Sequence, residues 1–136
     1  MVIYERPVRM EDIDAAGIVF FPRFFVYAFE AMEHFVNDVP GRHLELFTKE
    51  RIGFPVVRAA CDYRVPLRYG DVIRMAISVT KIGTTSCSFR YDITRVPDGA
   101  DVATVEHVVV ATDLKTLTKI PLPDDIRSLL GAHLIT

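Results

Sequence analysis

Phe24, Phe25, Ala28, Phe29, Met32, Phe35 and Val36 recur at three-, four- and one-residue spacings, while Glu30, Glu33, His34 and Asn37 fall between them. That period predicts a helix over 22–37 with an apolar stripe too wide for a surface element, so a sheet should wrap it. Asp38-Val39-Pro40-Gly41 stops it, and 43–51 can add a second helical piece. Beyond Gly53 the period becomes two. Ile73, Met75, Ile77 and Val79 alternate with Arg74, Ala76, Ser78 and Thr80, and Cys87, Phe89, Tyr91 and Ile93 alternate with polar neighbours. These are half-buried antiparallel strands. Segments 2–8, 54–66 and 102–114 read as further strands, and 124–130 as a short closing helix capped at Pro123 or Asp124. Turns fall at Arg68-Tyr69-Gly70-Asp71 and Pro97-Asp98-Gly99. The order is one strand, one long helix and then four long strands. It predicts a single α+β domain over 1–136, one antiparallel sheet around one central helix.

Composition narrows the function classes. At 136 residues, half apolar and a quarter charged, the chain suits one globular domain. A formal charge of −2 argues against a general affinity for nucleic acid or anionic membrane. The first residues carry charges by position 5 and no apolar run of eighteen occurs, so neither a secretory signal nor a membrane span is expected. Cys61 and Cys87 form no CxxC pair and read as free thiols, which points to the cytoplasm.

The chemistry concentrates in 11–25, Glu-Asp-Ile-Asp-Ala-Ala-Gly-Ile-Val-Phe-Phe-Pro-Arg-Phe-Phe. Asp14 sits on a small-residue turn, and Pro22 can open the helix because its missing N–H would be an orphan donor there. A carboxylate ahead of a helix can attack or deprotonate, while free N–H groups at the helix start receive a developing oxyanion. The alternative is that Asp14 only forms an Asx-turn. Asp12 suits bracing the turn rather than reacting. Six of the nine phenylalanines lie between Phe20 and Phe35; most belong to the core, and Phe21, Phe24 and Phe25 near the helix start can wall an acyl pocket.

The run Asp12-Ile13-Asp14-Ala15-Ala16-Gly17-Ile18-Val19-Phe20-Phe21-Pro22 resembles the Asp-x-Asp-x-x-Gly-Ile-Val motif and following aromatics of the hotdog-fold acyl-CoA thioesterases of the 4-hydroxybenzoyl-CoA thioesterase type. Tyr69-Gly70-Asp71-Val72, the turn Ile82-Gly83-Thr84-Thr85-Ser86, Asp113 and Ile120-Pro121 extend the similarity over nearly the whole chain. The resemblance implies a hotdog domain paired into homodimers or homotetramers, with active sites at the subunit interface. It implies Asp14 as nucleophile or general base, the Phe21 backbone N–H as oxyanion donor, and hydrolysis of an aroyl- or medium-chain acyl-CoA without metal or organic cofactor. Gly17 would permit the close turn or a substrate approach that a Cβ would obstruct. Phe24, Phe25 and Phe29 would meet the acyl group, and Thr84, Thr85 and Ser86 the coenzyme A phosphates. Relatives often carry cations in that turn. Here the charge must come from elsewhere, with Arg58, Arg64, Arg68, Arg90 and Lys81 as candidates by strand position. Hydroxybenzoyl-specific relatives place an acid in the helix to meet the ring hydroxyl. The aligned residue here is Phe29, which favours an unsubstituted aryl or alkyl group.

Other chemistries lack their residues. There is no Gly-x-Ser-x-Gly elbow, no Gly-rich phosphate loop, and no metal-ligand spacing among His34, His43, His107 and His133. A hotdog dehydratase would want a histidine at the helix entrance, where Phe21-Pro22 stands. A hotdog domain that binds acyl-CoA or an acyl-carrier protein without turnover is the remaining alternative.

Overall fold

The computed structural model describes residues 2–135. Its order is β1 (Val2–Pro7), α1 (Arg23–Val36), α2 (Arg42–Glu45) running into a π-helical turn (Leu46–Glu50), β2 (Ile52–Gly53), β3 (Val56–Tyr63), β4 (Val72–Ile82), β5 (Ser86–Val96), β6 (Asp101–Val110), β7 (Thr112–Asp113), β8 (Thr118–Lys119) and α3 (Asp124–Ala132). Five strands form an antiparallel sheet in the order β1-β4-β5-β6-β3.

The alternation read along β4 and β5 survives intact. Ile73, Met75, Ile77, Val79, Cys87, Phe89, Tyr91 and Ile93 all point inward and are buried. They meet Phe24, Tyr27, Ala28, Ala31, Met32, Phe35 and Val36 of α1. Phe35 packs edge-to-face on Phe89 at 5.3 Å between ring centroids, and truncating such a fully buried ring costs about 3–5 kcal/mol. The helical stripe is rotated from the one expected. Tyr27 and Ala31 belong to it, whereas Phe29 is 50% exposed.

Two further departures concern the strands. A second, three-stranded sheet of order β2-β7-β8 stands beside the main one. The run expected as one strand over 102–114 is divided at Ala111. Its N–H donates to the Thr85 carbonyl and its carbonyl accepts from Ile120, so β6 ends in the main sheet and β7 begins in the small one. The segment expected over 54–66 is shorter, and β3 is an exposed edge strand.

The sheet's two borders differ. β1 is short and carries Glu5, Arg6 and Pro7, features that discourage further pairing. Past the end of β1, the C-terminal tail covers β4: Val79 N–H donates to the His133 carbonyl at 3.2 Å, and Ile135 N–H to the Val79 carbonyl at 2.9 Å. β3 has no such cover among the described residues, and Val56, Val57 and Tyr63 are exposed on it.

Candidate active site

Asp14 lies in a loop closed by an isolated antiparallel bridge between Ile13 and Val19. Asp14 N–H donates to the Ile18 carbonyl at 2.9 Å and Gly17 N–H to the Asp14 carbonyl at 3.0 Å. Gly17 has φ +82°, and a Cβ there would meet nothing within 4 Å. Its glycine is therefore required by backbone conformation, and the obstruction expected of a Cβ is absent within the chain. One carboxylate oxygen of Asp14, Oδ1, accepts the Ala16 N–H at 2.8 Å. Oδ2 has no hydrogen-bond partner among the described residues. Asp14 thus forms an Asx-turn and still presents a free oxygen, so the two readings of it are compatible.

The loop is anchored from beneath by Asp12, which is fully buried. Asp12 Oδ2 accepts from Arg6 Nη2 at 3.0 Å and from the Arg9 N–H at 2.9 Å. Oδ1 accepts from Arg23 Nε at 2.9 Å, with Arg23 Nη2 at 2.6 Å. Arg6 also pairs with both oxygens of Glu30 at 2.6 Å and lies over the Tyr27 ring at 4.4 Å. Burial acts to raise the Asp12 pKa, but the Arg9 N–H, Arg23 and Arg6 outweigh it and hold the carboxyl below its ordinary value. Burial, and next the neighbouring Asp12 carboxylate, push the Tyr27 phenol far above its usual range. The Tyr27 hydroxyl is near Asp12, but its geometry falls short of a hydrogen bond. Asp12 thus ties β1, the loop and the first residue of α1 together, the bracing role expected of it.

Pro22 takes helical dihedrals (φ −68°, ψ −17°) as the N-cap rather than the first helical residue, and α1 begins at Arg23, one residue later than expected. Phe20 N–H is spent on the Asp12 carbonyl at 2.8 Å. Phe21 N–H has no acceptor among the described residues, while the Phe21 carbonyl receives the Tyr63 hydroxyl at 2.7 Å. A donor without an acceptor, at the positive end of a helix, is what an oxyanion requires. Beside it opens a cavity of about 300 Å³, walled by Phe21, Phe24, Tyr63 and Val65 to Leu67.

The three phenylalanines expected at the acyl group are divided. Phe24 is buried against Tyr27 and Tyr63, at 5.7 and 5.0 Å between centroids, and reaches only the first cavity. Phe25 is half-buried against the core. Phe29 lines a different cavity of about 310 Å³ between α1 and the Leu46–Glu50 turn.

Thr84, Thr85 and Ser86 lie at the opposite end of β4 from the Asp14 loop. The loop joins the sheet near Val72, through Val19 to Leu67 and Val8 to Asp71, and the turn follows Ile82. A strand of this length spans roughly 30 Å, so one chain does not bring the turn to Asp14. Two carbonyls of the turn, those of Gly83 and Thr84, accept Arg127 Nη2 at 2.8 and 3.0 Å. Arg127 was not among the expected cations. Its place on α3, over this turn, is a tertiary relation without a local pattern. Tyr63 was missed for the same reason. Among the described residues no group of three or more His, Cys, Asp or Glu is placed to hold a metal ion, and no helix is long and apolar enough to cross a membrane.

Residues 8–130 match the family model of the thioesterase-like superfamily. A 1,4-dihydroxy-2-naphthoyl-CoA hydrolase of Nostoc punctiforme is 31% identical over 123 residues, 90% of this chain and 82% of the relative. Among solved structures, a gentisyl-coenzyme A thioesterase superposes with TM-score 0.84 at 29% identity, over 93% of this chain and 99% of the other. A 1,4-dihydroxy-2-naphthoyl-CoA thioesterase from Synechocystis has TM-score 0.86 at 24% identity, over 95% and 94%. The fold is thus that of the hotdog thioesterases. The chain belongs to the thioesterase-like superfamily.

Proposed function

We propose that this protein is a cytoplasmic aroyl-CoA thioesterase, releasing a free aromatic acid and coenzyme A, with Asp14 and the Phe21 N–H as its chemical groups. The observation that carries the reading is their pairing on one braced loop. Asp14 keeps an oxygen without a hydrogen-bond partner, and Phe21 keeps an N–H without an acceptor among the described residues. A thioester needs little more, because its thiolate leaves without strong acid assistance. Either Asp14 Oδ2 attacks the carbonyl, expelling thiolate and leaving a mixed anhydride for water to open, or Asp14 takes a proton from the attacking water. In both, the carbonyl oxygen gains negative charge against the Phe21 N–H, a contribution of about 3 kcal/mol in comparable hydrolases. The acyl class follows the relatives, whose names specify dihydroxynaphthoyl and gentisyl thioesters.

A second copy completes the site in this reading. The Tyr63 end of β3 adjoins Phe21, and its Val56 end pairs with Val109, one residue from the Val110 that pairs with Ser86 of the turn. Antiparallel pairing of two β3 edges would set the Tyr63 end of one copy beside the Val56 end of the other. The distant 84–86 turn of one chain, with Arg127, then approaches the Asp14 loop of the other and can take the coenzyme A phosphates. The exposed apolar edge of β3 favours such pairing.

The test is thiol release from a panel of benzoyl-, naphthoyl- and straight-chain acyl-CoAs, with the mass in solution measured by light scattering. Turnover strongest on aroyl thioesters, by a dimer or tetramer, is expected. Tight acyl-CoA binding without turnover of any thioester would instead establish a binding domain.

A further inference from the structure

Residues 41–51, between α1 and β2, form a nearly self-contained segment. It opens at Gly41, φ +78°, and closes at Arg51, φ +56°, two left-handed positions that turn the chain sharply out of the body and back. Arg42, at its start, pairs with Glu50 near its end, and the Thr48 hydroxyl donates to the Leu44 carbonyl at 2.7 Å. These bonds stay inside the segment and hold α2 and the π-helical turn together as one unit. Its ties to the rest of the fold are few. Near the two left-handed positions, His43 N–H donates to Asn37 Oδ1 at 3.0 Å and the Arg51 carbonyl accepts from Leu114 N–H at 2.9 Å. Between them, Leu46 is the one fully buried residue, while Leu44 and Phe47 are exposed. Arg42 supplies the remaining tie, to Asp125 on α3, with Nη2 3.0 Å from Oδ1 and Nε 2.6 Å from Oδ2.

The inner side of this segment roofs the cavity of about 310 Å³: His43, Leu46 and Phe47 face Phe29, Met32 and Phe54 across it. Besides His43, the one polar side chain on its walls is Thr112, whose hydroxyl already donates to the Val110 carbonyl at 2.9 Å. Such walls suit a hydrocarbon and penalise a polar guest. Few buried side chains and a single charged tie mark a segment that opens before the fold does. We propose that residues 41–51 are a lid on this cavity, latched by Arg42 on Asp125, and that its opening admits a hydrocarbon chain. With the lid swung out, Phe29, Met32 and Phe54 become the floor of an open apolar groove. With it closed, Leu46 and Phe47 cover the bound chain. Access to this cavity is a property of the segment itself, whether or not a thioester is hydrolysed at the Asp14 loop.

Hydrogen exchange read by mass spectrometry, with decanoate as the probe, tests this. In native protein the amides of 42–50 should exchange well ahead of those of β4 and β5. Asp125→Asn removes the charge of the latch from an exposed position on α3. It should speed exchange in 42–50 about threefold, within the range for losing a partly exposed ion pair. Arg42→Gln, which also unfastens Glu50, should speed it further. Unchanged exchange in β4 and β5 reports that each variant is folded. Saturating decanoate should slow exchange in 42–50. Phe29→Trp, which fills the cavity from a half-exposed position, should abolish that slowing and weaken decanoate binding at least about tenfold by calorimetry, the scale of a lost buried contact. Exchange in 42–50 that keeps pace with β4 and β5, or that is unchanged in both latch variants, overturns the lid. Absence of protection by decanoate, or equal protection in Phe29→Trp, overturns the cavity as its cargo site.

Discussion

The Tyr63 hydroxyl donates a 2.7 Å hydrogen bond to the Phe21 carbonyl. It joins the last residue of the exposed edge strand to the residue whose N–H is proposed to meet an oxyanion. The Tyr63 ring also meets Phe21 and Phe24 edge-on, at 6.5 and 5.0 Å between centroids, so removing the hydroxyl alone leaves the packing in place. Tyr63→Phe should lower kcat about five- to tenfold with KM nearly unchanged, since one hydrogen bond that orients the donor is lost. Steady-state kinetics on an aroyl-CoA checks it.

Asp12 is the brace under the site, and its loss would leave the guanidiniums of Arg6 and Arg23 without their shared partner. Asp12→Ala should destabilise the fold by about 3 kcal/mol, the scale for breaking a buried ion pair, as measured by urea unfolding. Activity below the melting range should fall as well, because the same contacts place the Asp14 loop on α1.

Arg127 holds the Gly83 and Thr84 carbonyls through one nitrogen, leaving charge at a turn that has none of its own. Arg127→Gln should raise KM for coenzyme A thioesters about tenfold with little change in kcat. The salt dependence of KM should weaken in the variant. An unchanged KM would remove Arg127 from coenzyme A binding.

His107 gives the fold a titration in mild acid. Its Nε2 shares a hydrogen bond with the Tyr91 hydroxyl in the core, and burial lowers its pKa to about 4. The unfolded imidazole takes a proton below about pH 6.5, whereas the folded one resists until about pH 4. This contribution is therefore fully present above pH 6.5 and is lost as pH falls toward 4, reaching about 3 kcal/mol. His107→Gln, which keeps a hydrogen-bonding group without titrating there, should flatten that part of the stability curve in urea unfolding across pH 4–7.

The parts of the fold set by local period are legible in the amino-acid sequence. The alternation of Ile73 to Val79 and of Cys87 to Ile93 names the inward residues without error, because one face of each strand is buried. The rotation of α1 is not legible there: Phe29 is as apolar as Phe35, and only the placement of α2 and the small sheet leaves a cavity beside it. The division at Ala111 depends on Thr85, far away in sequence, and on Ile120, just past the small-sheet hairpin of β7 and β8. Of the proposed site, Asp14, Gly17 and Phe21 sit on one contiguous motif, which is why they can be proposed from sequence. Tyr63 and Arg127 arrive from two separate elements, and the parts proposed for them rest on tertiary contacts alone.

Asp14→Asn is the most direct measurement, because it keeps the Asx-turn acceptor to Ala16 while removing the charge proposed to attack or deprotonate. With an aroyl-CoA under single-turnover and steady-state conditions, kcat should fall by at least about 100-fold, the scale for losing a general base, while KM and the affinity for an inert thioether stay near native values. Retention of native kcat in Asp14→Asn would contradict the assignment of the chemistry to this loop.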